Sequence, residues 1–318
     1  MKEAPKKLLS VRVPATSANL GSGFDCMGIA LNLWNEFELW TAPGQEDAIL
    51  VESFGEAAER MPRDRSNAIA RILFEELEES LGREAPGPLR IVSRCSLPCG
   101  SGLGSSSTAV IAGLIFAHAL GRPDLNADNI ATLRKAVLNR AVEIEGHGDN
   151  VAPALLGGLV CVIRTQTGRT LAQPLPCAVR KVVVCTPDFH FLTVKARAVL
   201  PPTLPRADAV FNIGHAVLTV EALRSGDLRL LGKSLDDRLH EPYRLPAIPG
   251  ALDAREAALD AGAAAVCLSG AGPSLLAFAD EGHERIAAAM VAGFASIGMK
   301  AHSRILEVVA NGTEISLG

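Results

Sequence analysis

The segment Leu97–Leu120, LPCGSGLGSSSTAVIAGLIFAHAL, constrains this chain more than any other. Glycines 100, 102 and 104 and three consecutive serines, Ser105, Ser106 and Ser107, run directly into an apolar stretch with helical spacing. Glycine lets a backbone approach a ligand closely, and serine at a helix start can cap it beside free N–H groups that favour an anion. A Gly/Ser loop opening a buried helix is therefore expected here, with an anion site at the junction. The same loop could serve only to start a buried helix, so its meaning depends on the rest of the chain.

The surrounding pattern supplies that context. Leu8–Val13 reads as a short strand ending at Pro14, and ATSANLGSGFDCMGIAL (Ala15–Leu31) as a polar, glycine-rich loop feeding an apolar run. Asn35–Thr41 and Ala48–Ser53 alternate as strands, Ser66–Gly82 has helical spacing, and Leu89–Leu97 is a strand that delivers the chain into the Gly/Ser loop. A second long helix is expected at Asn126–Gly146, followed by the tight connection HGDN (147–150) and a strand ending near Arg164. Val182–Thr186 is a strand. The region from the Pro-rich Leu200–Asp208 to Asp237 is largely helical, and Ala264–Asp280 reads strand, glycine turn, strand. A helix near Glu284–Ile297 and a strand at Ser303–Val309 complete the pattern. Hairpins mixed with helices point to an α+β fold or a mixed sheet rather than a doubly wound one, with two domains, 1–165 and 166–318.

Composition removes whole classes of function. With 48% hydrophobic and 21% charged residues a sizeable core is available, and a formal net charge of −4 with 4% aromatics gives no footprint for nucleic acid. The seven cysteines include no CxxC pair, so reduced thiols in a cytoplasmic protein are expected rather than disulfides or a zinc site. The N-terminal MKEAPKKLLSVRV lacks a long apolar run, so no signal peptide is expected. The apolar part of Cys95–Gly121 is about a dozen residues, too short to span a membrane.

Three polar, glycine-rich segments thus stand in order at 14–28, 98–107 and 269–274. Their combination resembles the GHMP small-molecule kinase superfamily, which includes galactokinase, homoserine kinase, mevalonate kinase and phosphomevalonate kinase. Within it, PATSANLGSGFD (14–25), EGHGDNVAPALLGGL (145–159), VKARAVLP (194–201), EPYR (241–244) and LSGAGPS (268–274) are most similar to the homoserine kinase branch. Two departures are visible: Ser107 and Thr108 replace the usual pair of small residues, and HGDN replaces the commoner HPDN. The resemblance implies an N-terminal α+β nucleotide-binding domain, a C-terminal ferredoxin-like domain, and a site between them for ATP, Mg²⁺ and L-homoserine. A homodimer is also a family expectation.

The residues can be weighed on their own chemistry beside that resemblance. No GxxxxGKS/T motif is present, so phosphate would lean on backbone N–H groups of the loop, and Pro98, Gly100, Ser101, Gly102, Leu103, Gly104, Ser105, Ser106 and Ser107 are its candidate nucleotide-binding residues. A hydroxyl and a carboxylate suit Mg²⁺; Ser106 and Glu143 match the family's positions, with Glu145 as the alternative. Arg197 and Arg244 match the family's arginines, whose planar fork suits a substrate carboxylate. Asn19, Asp25, Asp149 and Asn150 supply acceptors and orienting amides, and Gly270 and Gly272 shape the substrate side. The resemblance puts Asp25 near the attacking hydroxyl, as base or as orienter. Asn67 is either near adenine or a helix-start residue. His147, one histidine without partners at ligand spacing, is expected to be structural. Two other functions remain open from sequence: a sister kinase for another small alcohol such as mevalonate, and a catalytically silent nucleotide or metabolite sensor.

Overall fold

Eleven strands in the computed structural model, which describes residues 4–122 and 129–318, form two sheets. The expected helix start at Asn126 lies outside the described residues; the helix runs Ile130–Glu145. The first sheet contains β1 (Lys7–Ala18), β2 (Met27–Thr41), β3 (Ile49–Gly55), β4 (Leu89–Cys95), β5 (Leu159–Arg164), β6 (Thr170–Leu175) and, from the end of the chain, β11 (Glu314–Leu317). The second contains β7 (Lys181–Pro187), β8 (Ala265–Leu268), β9 (Leu275–Phe278) and β10 (Ala301–Glu307). The helices are α1 (Ala68–Phe74), α2 (Ser105–Gly121), α3 (Ile130–Glu145), α4 (Val151–Leu156), α5 (Thr193–Ala198), α6 (Arg206–Ser225), α7 (Leu228–Ser234), α8 (Glu241–Arg244), α9 (Ala251–Asp260) and α10 (His283–Ala295).

The first sheet runs β11-β1-β2-β4-β3, and β5 and β6 extend from β2. Fifteen-residue β2 is shared: Met27–Ile29 pair with β5 and Asn35–Thr41 with β4. The β1–β2 register shifts between Pro14 and Ala15, where proline can donate no ladder hydrogen bond. Beyond that shift β1 carries Thr16, Ser17 and Ala18 into the glycine-rich loop. The second sheet, β10-β7-β9-β8, is antiparallel throughout. Its chain order, strand, helices, hairpin, helix, strand, is the ferredoxin-like pattern. Both halves are thus α+β, as expected.

The first sheet runs past the boundary expected after residue 165, because β6 completes a hairpin with β5 and β11 returns to pair with β1.

One apolar core lies between the first sheet and α1, α2 and α3, a second between α9, α10 and the second sheet. A third joins the halves: Ala15, Leu20, Leu31, Leu97 and Leu103 pack with Val182, Val184, Leu231, Leu235 and Phe278. Each fully buried Leu or Phe contributes roughly 1.5–3 kcal/mol, so this core helps to hold the two halves together.

Candidate active site

The Gly/Ser loop is held from below by a buried side chain. Asn35 of β2 accepts from the amides of Ser96 and Leu97 and donates to Thr108 Oγ1 at 2.9 Å, tying strand exit to helix entry. α2 begins as expected at Ser105, but the serines do not cap it. Gly104 is the N-cap, with φ +74 and no side-chain bond to the first turn. The first-turn N–H groups at the positive end of this 17-residue helix, claimed by no side-chain cap, are therefore left for a ligand. A Cβ on Gly104 would collide with Thr16 Oγ1, so only glycine lets loop and β1 approach this closely.

The three glycine-rich segments interlock. Ser269 Oγ lies 2.8 Å from the carbonyl of Gly102 and 2.8 Å from Ser17 Oγ, and Asn19 Nδ2 donates to the carbonyl of Gly270 at 2.7 Å. Over them opens a cavity of about 110 Å³ lined by Asn19, Asp25, Gly100, Ser101, Gly102, Gly104, Ser105, Ser106, Ser107, Asp149, Asn150, Arg197, Arg244 and Gly270, all expected from sequence, and by Glu145, His147 and Ala271. Expected residues outside it have other surroundings. Leu103 is fully buried and gives its carbonyl to the amide of Thr16. Gly272 packs on Ile248 and Leu268, and Pro98 faces a neighbouring groove. That groove, about 690 Å³, shares Gly100 and Ser101 with the cavity and is walled by residues 55–61, 98–99 and 186–190. Asn67 lines neither: its Oδ1 accepts from the amide of Ile69 as the N-cap of α1, and its Nδ2 donates to the carbonyl of Pro62.

The acidic partner of Ser106 is Glu145. Ser106 Oγ donates to Glu145 Oε1 at 2.7 Å and Ser107 Oγ to Oε2 at 3.1 Å, whereas Glu143 pairs with Arg140 at 3.2 Å on the exposed side of α3. The phase of α3 explains this. Leu133, Val137, Leu138, Ala141 and Val142 are buried, Glu145 lies one turn beyond Ala141 on their face, and Glu143 points away. That apolar stripe was the available sequence signal. Ser107 and Thr108, the departures from the family pattern, both use their hydroxyls.

Beyond α3, Asp149 is buried and accepts from the amide of Asn150 at 3.1 Å; His147 Nδ1 lies 2.8 Å from its Oδ1. Burial lowers the His147 pKa, but the hydrogen bond and charge of Asp149 outweigh it and the net shift is upward. Thr16 Oγ1 donates to Asn150 Oδ1. On the opposite wall Asp25 has φ +56 and its amide donates to Asn19 Oδ1 at 3.0 Å. Arg197 of α5 meets it bidentately at 3.0 and 2.9 Å, and the Asp25 hydrogen bond raises the arginine's pKa. Arg244 is 2% exposed; burial, with Arg197 nearby, pulls its pKa down to about 10. The arrangement offers an anion cradle at one end, a carboxylate with a hydroxyl at its edge, and two guanidiniums opposite.

Fold and cradle together define a GHMP kinase. The family models described as GHMP kinases N terminal domain and GHMP kinases C terminal match residues 67–158 and 219–296. A homoserine kinase of Synechococcus sp. is 40% identical over 96% of this chain and 97% of its own, and that of Gloeobacter violaceus 45% identical over 85% and 87%. The crystal structure of homoserine kinase from Cytophaga hutchinsonii superimposes with a TM-score of 0.81 at 30% identity, covering 98% of both chains. The chain belongs to the homoserine kinase family.

Proposed function

We propose that this protein transfers the γ-phosphoryl group of Mg·ATP to the hydroxyl of L-homoserine, giving O-phospho-L-homoserine for threonine biosynthesis. The observation that carries this reading is the convergence, in one cavity, of the open N-terminus of α2 with Asp25, Arg197 and Arg244. Phosphate oxygens rest on amides of the Gly/Ser loop, and the nucleoside extends into the adjoining groove. Arg244 and Arg197 receive the substrate carboxylate; Asn19, Asp149 and Asn150 orient its ammonium and hydroxyl ends. Asp25 holds the hydroxyl and accepts its proton as the new O–P bond forms and the bond to the β-phosphate's bridging oxygen breaks, releasing ADP. Positioning and charge stabilisation carry most of this chemistry.

The fit for a metal is tested by the donor set. Ser106 and Glu145 are hard oxygen donors in contact, and among the described residues no group of three or more His, Cys, Asp or Glu side chains could hold a metal. That suits a cation that takes one or two protein oxygens and completes its shell with water and phosphate. When bound there, Mg²⁺ neutralises charge on the phosphate oxygens. All seven cysteines are free thiols, in keeping with a cytoplasmic enzyme, and no described helix is long and apolar enough to cross a membrane.

A coupled ADP-release assay with L-homoserine, L-serine, L-threonine and mevalonate side by side tests the reading. Homoserine is expected to be turned over fastest. Faster turnover of mevalonate would make this a sister kinase, and ATP binding without ADP formation on any alcohol would make it a sensor.

A further inference from the structure

Arg244 is almost fully enclosed, so its donors are directed by the protein. Nε donates to the carbonyl of Ala196, next to Arg197, at 3.0 Å, and Nη1 lies 3.3 Å from His240 Nδ1. A guanidinium has donors only, so His240 Nδ1 must offer a lone pair. The other ring nitrogen settles the tautomer independently. Nε2 sits 2.9 Å from the carbonyl of Gly21, which can only accept, so the proton is on Nε2. His240 is thus neutral, donating to the loop that carries Asp25 and accepting from Arg244. Burial lowers its pKa in the same sense, against the opposing charge of Asp237, 3.7 Å from Nε2.

The ring is also fixed in place. Phe24 stacks on it with centroids 5.2 Å apart, and the Arg244 guanidinium lies 5.2 Å from the Phe24 ring. Asp237 Oδ2 accepts from the amides of His240 and Glu241, each at 2.7 Å, while its Oδ1 accepts from Asn212 Nδ2 at 2.6 Å. The backbone before α8 is thereby pinned to α6.

We propose that His240 is a positioning residue: anchored to Gly21 through Nε2, it accepts Arg244 Nη1 and so aims the remaining N–H groups of Arg244 at the substrate carboxylate. This rests on Arg244 being a carboxylate receptor, and the test separates the two ideas. An asparagine keeps an acceptor near Nδ1 but loses the bond to Gly21; a glutamine keeps a donor near Nε2 but loses the acceptor.

The experiment compares His240→Asn, His240→Gln and Arg244→Gln with wild type by steady-state kinetics and thermal unfolding. His240→Gln is expected to raise the KM for L-homoserine roughly 10-fold, the effect of one misdirected charged hydrogen bond, with the KM for ATP within about twofold. His240→Asn should recover most of that loss. A merely structural role would move both KM values, and the melting temperature, alike in the two variants, and equal effects on homoserine KM overturn the proposal. If Arg244→Gln leaves homoserine KM unchanged, the carboxylate reading fails and the proposal falls with it. Imidazole ¹⁵N NMR of the wild-type enzyme needs no folded variant: an Nε2–H ring at neutral pH is expected, and an Nδ1–H tautomer or an imidazolium overturns the inference.

Discussion

Arg197 grips Asp25 through two parallel hydrogen bonds, Nη1 to Oδ2 at 3.0 Å and Nη2 to Oδ1 at 2.9 Å, although the two residues are 172 positions apart. Both side chains are more than a third exposed, so solvent screening leaves the pair little net stability. Its place in the cavity wall matters more. In the proposed reaction homoserine would insert between these groups, giving its carboxylate to the arginine and its hydroxyl to the aspartate. Arg197→Ala is therefore expected to raise the homoserine KM by about 10–100-fold, the loss of a charge-assisted contact, with ATP KM unchanged. Asp25→Asn should instead lower kcat by about 100-fold, the low end for a proton acceptor. Steady-state kinetics on both variants checks this, and a kcat near wild type for Asp25→Asn would leave the residue only an orienting part.

The two carboxylates at the end of α3 make opposite predictions. Glu145 touches Ser106 and Ser107, while Glu143 is tied to Arg140. Glu145→Gln should raise the Mg²⁺ concentration for half-maximal activity by about 10–100-fold, and Glu143→Gln should leave it within about twofold. Titrating Mg²⁺ at saturating ATP reads this directly. The reverse order would return the metal to Glu143.

Gly102 carries the contact between the phosphate loop and the third motif. It has φ +80, and an added Cβ would strike the carbonyl oxygen of Ser269. Gly102→Ala adds left-handed strain of roughly 1–3 kcal/mol to that collision. The melting temperature should fall by several degrees, and the KM for ATP should rise as the loop lifts from residues 269–272. Unfolding and ATP kinetics unchanged from wild type would show that the two segments are not in close register.

These variants also mark how far the sequence could be followed. The phosphate loop was legible because its function demands glycines and serines at fixed spacing, and α2 starts at the expected Ser105. The ferredoxin-like half came from resemblance. Thr170–Leu175 escaped notice because Pro174 interrupts an exposed strand, and Glu314–Leu317 because four residues carry too little alternation. α9, ALDAREAALD, is built largely from small residues and gives a weak periodic signal. His240 lay beyond reach for another reason: its role depends on Gly21 and Arg244 meeting through the fold, which no local spacing encodes.

His147 supplies a pH dependence of definite sign. It was expected to be structural, and the fold pairs it with buried Asp149 in the cavity wall. Burial alone would lower its pKa, but the Asp149 hydrogen bond and charge prevail and raise it above the ordinary 6.5. The folded protein then holds the imidazole proton more tightly than the unfolded chain does. The resulting stability is fully present below about pH 6.5 and is lost as the pH rises through the folded-state value. His147→Asn removes this contribution while leaving the other histidines as they are. The difference in melting temperature between wild type and His147→Asn should therefore be largest near pH 6 and shrink towards about pH 9. Thermal unfolding of both proteins across that range checks it. A difference that stays constant, or grows with pH, would mean that the pair is not held as an imidazolium and carboxylate in the folded enzyme.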